Sequence, residues 1–180
     1  WDEGPEAPNG NDYGPYFQSQ RLPLYEGFFK QLLESGHAYE AWETSDELNA
    51  MRTAAQKESG TFRYRYQDYT EAQIEGFRKE GRTPVLRLRN PARGITVTDD
   101  VLGDVHFEPE VLEDIVIRKA DGYPTYHFAV VIDDYHMQIT QVLRGQEHLM
   151  NTPKHIGLYD ALSWPTPNFA HLPLIFNPEG

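Results

Sequence analysis

Hydrophobic positions change their period along the chain, and the changes divide it. Leu24, Phe28, Phe29, Leu32 and Leu33 recur at three-to-four spacing, the apolar stripe of an amphipathic helix. Pro23 suits the opening turn of that helix and Gly36 its end. A short strand is expected over residues 37–42. Thr44 with Glu47 has the form of a capping box, and residues 46–58 read as a helix behind it. Thr70 with Gln73 repeats that signal ahead of a helix over 71–80, which Gly81 ends. From there the period drops to two. Residues 84–89, 94–98, 101–107 and 114–119 read as strands, separated by Asn-Pro, Asp-Asp, Pro-Glu and Asp-Gly turns.

A third pattern follows. Residues 125–132, TYHFAVVI, are nearly all aromatic or β-branched. Such a run suits a strand covered on both faces, as in a parallel sheet, and Asp133-Asp134 is expected to end it. A second strand, over 138–143, stops at Arg144-Gly145. Asn151 or Thr152 can then cap a helix that begins with Pro153. Trp164-Pro165-Thr166-Pro167 reads as a rigid connector to a last strand over 170–176. Strand, turn and helix in succession place ligands at the carboxyl end of a sheet, near helix amides. The expected fold class is α/β. Residues 38–122 form a small α+β unit between two α/β parts, 1–37 and 123–180, which an inserted domain explains. Residues 1–20 are rich in Gly, Pro, Asn and Asp and read as a loop.

Composition narrows the chemistry. The 180 residues hold 28 Asp and Glu against 16 Lys and Arg, a net charge of −12. Proteins that grip nucleic acid through phosphates are usually basic, so a nucleic-acid surface here has to be a local patch. There are no cysteines, which rules out disulfides and thiolate metal sites and fits a reducing compartment. No apolar run is long enough to span a membrane. The chain opens on Trp1 in mid-motif and closes on a turn, as a piece of a longer protein would.

The seven histidines match no metal-binding spacing, so no metal site is expected. Asp133 and Asp134 are expected to end a strand rather than to ligate. G-x-G-x-x-G, P-loop and G-x-S-x-G motifs are absent, so the commonest nucleotide and hydrolase sites lack their signatures. Arg87, Arg89 and Arg93, with Arg82 nearby, form the most basic patch; a solvated strand face and a phosphate contact both account for it. Arg144 at a strand end can fork onto a carboxylate or phosphate, and the plain alternative is a surface ion pair with Glu147.

WDEGP, YGPYFQSQR, GHAYEAWETSDEL, DGYPTYHFAVVIDDYHMQITQVLRGQEHLMNTPKH and HLPLIFNPEG together resemble the middle of a bacterial glutamyl-tRNA synthetase, across nearly the whole chain and in the family's order. The resemblance implies a class I catalytic domain: a Rossmann-type parallel sheet interrupted by a connective insertion that meets the tRNA acceptor end. It implies L-glutamate, ATP with Mg²⁺ and tRNA(Glu) as substrates and partners, a cytoplasmic location, and no membrane. The family's H-I-G-H and K-M-S-K signatures fall outside these residues, so the chain alone is expected to be inactive.

Carried over by position, Tyr126 and Arg144 resemble the glutamate-binding tyrosine and arginine. Glu147 and His148 fall where the family contacts ATP, and Leu174 and Ile175 where adenine packs. Arg87, Arg89 and Arg93 are the candidates for tRNA contact. Val130 stands where some members have an asparagine. Ala41 and Glu43 lie where many members carry zinc-binding cysteines, so no structural zinc is expected; packing of Tyr39, Trp42, Leu48 and Met51 is expected instead. No general base or covalent nucleophile is implied, because a carboxylate attacking phosphorus needs no deprotonation at neutral pH. Two rivals are a glutamyl-queuosine tRNA(Asp) synthetase-like paralogue, which glutamylates a modified tRNA base, and a non-catalytic module that binds the tRNA acceptor end.

Overall fold

Helix α1, Leu22–Glu34, buries Tyr25, Phe29 and Leu32, the positions that three-to-four spacing places on one face. Gly36 follows at φ 74°, the left-handed turn that glycine takes without a steric cost. The computed structural model describes residues 4–5, 13–58 and 60–173. After α1 come β1 (Ala38–Ala41), α2 (Ser45–Glu58), α3 (Glu71–Lys79), β2 (Val85–Leu88), β3 (Ile95–Asp99), β4 (Gly103–Phe107) and β5 (Val116–Arg118). Helix α4 (Tyr126–His136), β6 (Gln141–Gly145), α5 (Thr152–Ala161) and β7 (Asn168–Leu172) complete the order. Both capping boxes form: Thr44 N–H donates to the Glu47 carboxylate at 2.7 Å, and the Thr70 and Gln73 side chains bond reciprocally to each other's backbone. Among the described residues no helix is long and apolar enough to cross a membrane.

The strands form two sheets. One is antiparallel, in the order β1-β2-β5. The other runs β4-β3-β7-β6, with β3–β4 antiparallel and both β3–β7 and β7–β6 parallel. The main core lies between the first sheet and three helices, joining Phe29 and Leu32 of α1, Leu86 and Ile117 of the sheet, Phe128 and Ile132 of α4, and Leu158 of α5. A smaller core under the β3–β4 hairpin holds Ile95, Val97 and Phe107, with Leu149 and Ile156 packed on it. Strands β3 and β4 come from the 38–122 segment yet hydrogen-bond into the sheet of β6 and β7. A third cluster of Tyr39, Ala41 and Tyr64 takes in Leu48 and Met51. Trp42 instead stacks on Phe77 of α3, with ring centres 6.0 Å apart.

One expected element is wrong in kind. Residues 125–132 are not a strand: Tyr126–His136 is helix α4. Its buried residues, Phe128, Ala129, Val131 and Ile132, recur at helical spacing, and burial on that face outweighs the strand preference of Val and Ile. Asp133 and Asp134 therefore sit inside the helix rather than at a strand end. Asp133 accepts from Arg21 Nε at 2.7 Å and from the Tyr25 hydroxyl at 2.9 Å, which ties the entry of α1 to α4. Burial, with Asp133 adjacent, raises the Asp134 carboxyl to about 6.

Candidate functional site

Strands β6 and β7 run parallel in register, pairing Arg144 with His171 and Gly145 with Leu172. Their carboxyl ends are therefore side by side, the place where α/β sheets bind ligands. The chain leaves β6 through a short 3₁₀ helix, Gln146–Asn151, and enters α5 with Pro153 in its first turn. At Gly145 a β-carbon would meet the carboxylate of exposed Glu147, which can swing aside to admit it.

Arg144 is the penultimate residue of β6 and is half-buried. Its Nε donates to His171 Nε2 at 3.0 Å and its Nη2 to Thr152 Oγ1 at 2.8 Å. Thr152 Oγ1 also lies 3.1 Å from His171 Nε2. The other ring nitrogen, His171 Nδ1, is 2.5 Å from Asp99 Oδ2. A guanidinium only donates, so Nε2 of His171 accepts, and Nδ1 carries the ring proton toward Asp99. Thr152, His171 and Asp99 are all buried. Burial works to raise the Asp99 carboxyl, but hydrogen bonds from His171 and from the backbone N–H groups of Leu102, His171 and Val101 outweigh it and bring it to about 2.

Tyr126 opens α4 rather than lying on a strand, and it is 54 % exposed. Burial lowers the Arg144 guanidinium from its ordinary value, and the nearby Tyr126 and Asp134 oppose that shift. Arg144 and Tyr126 are thus brought to one place. Glu147 and His148 lie on the adjoining 3₁₀ helix, with His148 Nδ1 3.3 Å from Asn151 Nδ2. Among the described residues Arg144 makes no carboxylate ion pair, with Glu147 or any other. Leu174 and Ile175 lie outside the described residues. Below Tyr126, His127 and His155 face each other at 3.2 Å. Burial, reinforced by Lys154 and Arg144, pushes His127 down to about 4; burial, with Arg144 and His127, pushes His155 to about 3.

The three arginines proposed for tRNA contact are dispersed. Arg87 is buried, donating to the Asp114 carbonyl at 2.6 Å with its guanidinium 3.7 Å from the Tyr64 ring centre. Arg89 is exposed and stacks over Tyr66 at 3.8 Å. Arg93 pairs with Asp160 at 2.6 Å. Arg87 does reach one cavity of about 580 Å³, shared with Arg52, Tyr64, Thr125, His127 and Lys154, which concentrates positive charge on an acidic protein. Glu43 accepts hydrogen bonds from the Tyr64 and Tyr69 hydroxyls. Among the described residues, no group of three His, Asp or Glu side chains is placed to hold a metal ion.

The family profile of class I tRNA synthetases (E and Q), catalytic domain, matches residues 5–180. The chain belongs to this family. It is 47 % identical over 171 residues to glutamate–tRNA ligase 1 of Caldanaerobacter subterraneus subsp. tengcongensis, covering 93 % of this chain and 36 % of that protein. Against glutamate–tRNA ligase of Exiguobacterium sibiricum the identity is 48 %, covering 99 % of this chain and 37 % of the relative. A crystal structure of a glutamate tRNA ligase from Elizabethkingia meningosepticum, in complex with its amino acid, superimposes with a TM-score of 0.89 at 37 % identity, covering 99 % of this chain and 37 % of that one. The chain thus spans a little over a third of the relatives it matches, and its α/β fold with parallel strands is that of the synthetase catalytic domain.

Sequence reasoning missed the residues that hold Arg144 from behind. The sequence presents Asp99 only as part of a turn, Thr152 only as a cap, and His171 only as part of the last strand and of the HLPLIFNPEG segment. One signal was present. Strand β3 alternates buried and exposed from Ile95 to Asp99, so the alternation puts a carboxylate on the buried face, where a charge needs a partner.

Proposed function

We propose that the full-length gene product is a glutamate–tRNA ligase, and that this chain supplies the glutamate-binding wall of its catalytic site. The observation that carries the reading is Arg144, held from behind by His171 and Thr152 and facing Tyr126 at the carboxyl ends of two parallel strands. Two of its five N–H groups are tied to His171 and Thr152, and the Tyr126 hydroxyl lies beside the rest, within hydrogen-bonding reach of the guanidinium. The naming of the relatives as glutamate–tRNA ligases supports the same substrate.

In this reading the side-chain carboxylate of glutamate lies on Arg144, and its α-carboxylate attacks the α-phosphorus of ATP. A P–O bond forms to the glutamyl carboxylate, the bond to pyrophosphate breaks, and pyrophosphate leaves; Mg²⁺ carried by the phosphates would neutralise their charge. The terminal ribose hydroxyl of tRNA(Glu) then attacks the adenylate carbonyl and releases AMP. Both steps call for positioning and charge stabilisation. Magnesium is usually carried by substrate phosphates rather than by an all-protein cage. Glu147 and His148 border the nucleotide side in this reading.

Residues 38–122 are, in this reading, the connective insertion between catalytic parts 1–37 and 123–180. It approaches the acceptor end of tRNA through the cavity that its Arg52 and Arg87 share with Lys154 of α5, with Arg89 and Arg93 lining a separate cavity, and holds together by packing without zinc. The enzyme would act in the cytoplasm, where charged tRNA is used.

The test is transfer of labelled glutamate by the full-length protein onto purified tRNA(Glu) and tRNA(Asp). ATP-dependent charging of tRNA(Glu) supports the proposal. Labelling confined to tRNA(Asp) would show a base-modifying paralogue, and no adenylate with either tRNA would show a binding module.

A further inference from the structure

Asp99, His171 and Arg144 lie in a row. They come from β3, β7 and β6, which are adjacent in the sheet, and each sits at or near its strand's carboxyl end. Asp99 Oδ1 also accepts the backbone N–H of His171 at 3.2 Å, so the carboxylate grips both the ring and the main chain of that residue. Burying a carboxylate, an imidazole and part of a guanidinium is unfavourable unless each is hydrogen-bonded, and here each is.

The arrangement solves a specific problem. A buried arginine that must receive a substrate carboxylate needs to be held and to have its charge balanced. A protein carboxylate bonded directly to it would do both, but would compete with the substrate for the same N–H groups. Here the balancing charge is one residue further back. Neutral His171, its tautomer set by Asp99, presents only an acceptor to Arg144 Nε, and Thr152 takes one Nη2 proton. The plane of the guanidinium is fixed, Tyr126 lies within hydrogen-bonding reach, and among the described residues no carboxylate occupies its remaining donors.

We infer that the Asp99–His171 pair, with Thr152, positions Arg144 as a one-sided donor fork and thereby sets the preference for glutamate over glutamine. The inference rests on the glutamate-binding reading of Arg144. A fixed fork meets the two oxygens of a carboxylate with two donors; an amide presents a donor to one of them and leaves it unmatched. An arginine free to swing would avoid that mismatch and discriminate less. His171, Asp99 and Thr152 are positioning residues, acting through Arg144 rather than on the substrate.

The experiment compares ATP–pyrophosphate exchange by the full-length protein and its variants, with KM measured separately for glutamate and ATP and with glutamine as competitor substrate. His171→Asn keeps a donor near Asp99 but removes the acceptor facing Arg144. His171→Gln extends an acceptor back toward Arg144. Thr152→Val removes the second acceptor with almost no change in volume. We expect His171→Asn and Thr152→Val to raise the glutamate KM roughly tenfold, the scale of a lost charge-assisted hydrogen bond, to narrow the glutamate-to-glutamine preference, and to leave the ATP KM within about a factor of two. His171→Gln should recover part of the loss.

Wild-type glutamate KM and preference in folded His171→Asn and Thr152→Val would overturn the inference, as would an ATP KM that rises in step with that for glutamate. If His171→Asn does not fold, Thr152→Val decides alone. Arg144→Ala separates the two levels: if it loses glutamate use while the positioning variants keep theirs, only this inference fails, and if it too is normal, the glutamate reading fails with it.

Discussion

Truncating Arg144 removes the charge on which the substrate reading depends. In Arg144→Ala the guanidinium is lost from a half-buried site where two of its donors are tied to His171 and Thr152 at 3.0 and 2.8 Å. Little solvent can take its place opposite a bound carboxylate. Removing one partner of a desolvated, hydrogen-bonded charge pair costs about 2–5 kcal/mol, which is roughly thirtyfold to several thousandfold in kcat/KM for glutamate. The KM for ATP should move little, because in the proposed reading Arg144 would face the side-chain carboxylate rather than the triphosphate. Arg144→Lys should fall between, since an ammonium keeps the charge but cannot span His171 and Thr152 as a planar fork does. The assay is pyrophosphate exchange by the full-length protein against glutamate concentration, with circular dichroism as a check on folding. Arg144→Ala with near-normal kcat/KM for glutamate would show that this arginine is only part of the scaffold.

Three further outcomes are expected. Tyr126→Phe should raise the glutamate KM by about 1 kcal/mol, the net value of one hydrogen bond, and an unchanged KM would place its hydroxyl outside the site. Lys154→Ala, in the cavity shared with Arg52 and Arg87, should weaken tRNA binding and reduce its salt slope by about one unit while sparing glutamate activation; an unchanged slope would move the acceptor end elsewhere. His127 and His155 are pushed from 6.5 down to about 4 and about 3, so between those values the unfolded chain binds more protons than the folded one. Stability held above pH 6.5 should therefore fall as the pH drops through that window. His155→Gln should flatten the drop in urea midpoint between pH 7 and 4, and an identical slope in the variant would refute this source.

Much of the fold was legible because its signals are local. Caps at Thr44 and Thr70, the stripe of α1 and the Asp-Asp turn between β3 and β4 each act within a few residues, and each element formed where they point. Helix α4 was not legible from composition. Its β-branched residues favour a strand in isolation, and only packing of Phe128 against Phe29, at 4.3 Å between ring centres, and of Ile132 in the same core settles the helix. The parallel pairing of β3 with β7 was hidden for a related reason, since it joins Asp99 to Phe169 across three intervening strands and two α-helices. The site divides the same way. Arg144 stood out because a charged side chain ends a strand ahead of a turn and helix and matches a known family, and Tyr126 by that family match alone. The support behind them did not, because Asp99 and His171 are separated by 72 positions and no sequence period links them.

The most direct measurement of the central claim is ATP–pyrophosphate exchange by the full-length wild-type protein with glutamate, glutamine and aspartate supplied one at a time. A donor-only fork beside a phenol predicts robust exchange with glutamate. It predicts at least about a hundredfold lower kcat/KM with glutamine, where a buried guanidinium would face an amide donor. Equal exchange with glutamine, or none with glutamate, would contradict the assignment of Arg144 as the residue that recognises the substrate carboxylate.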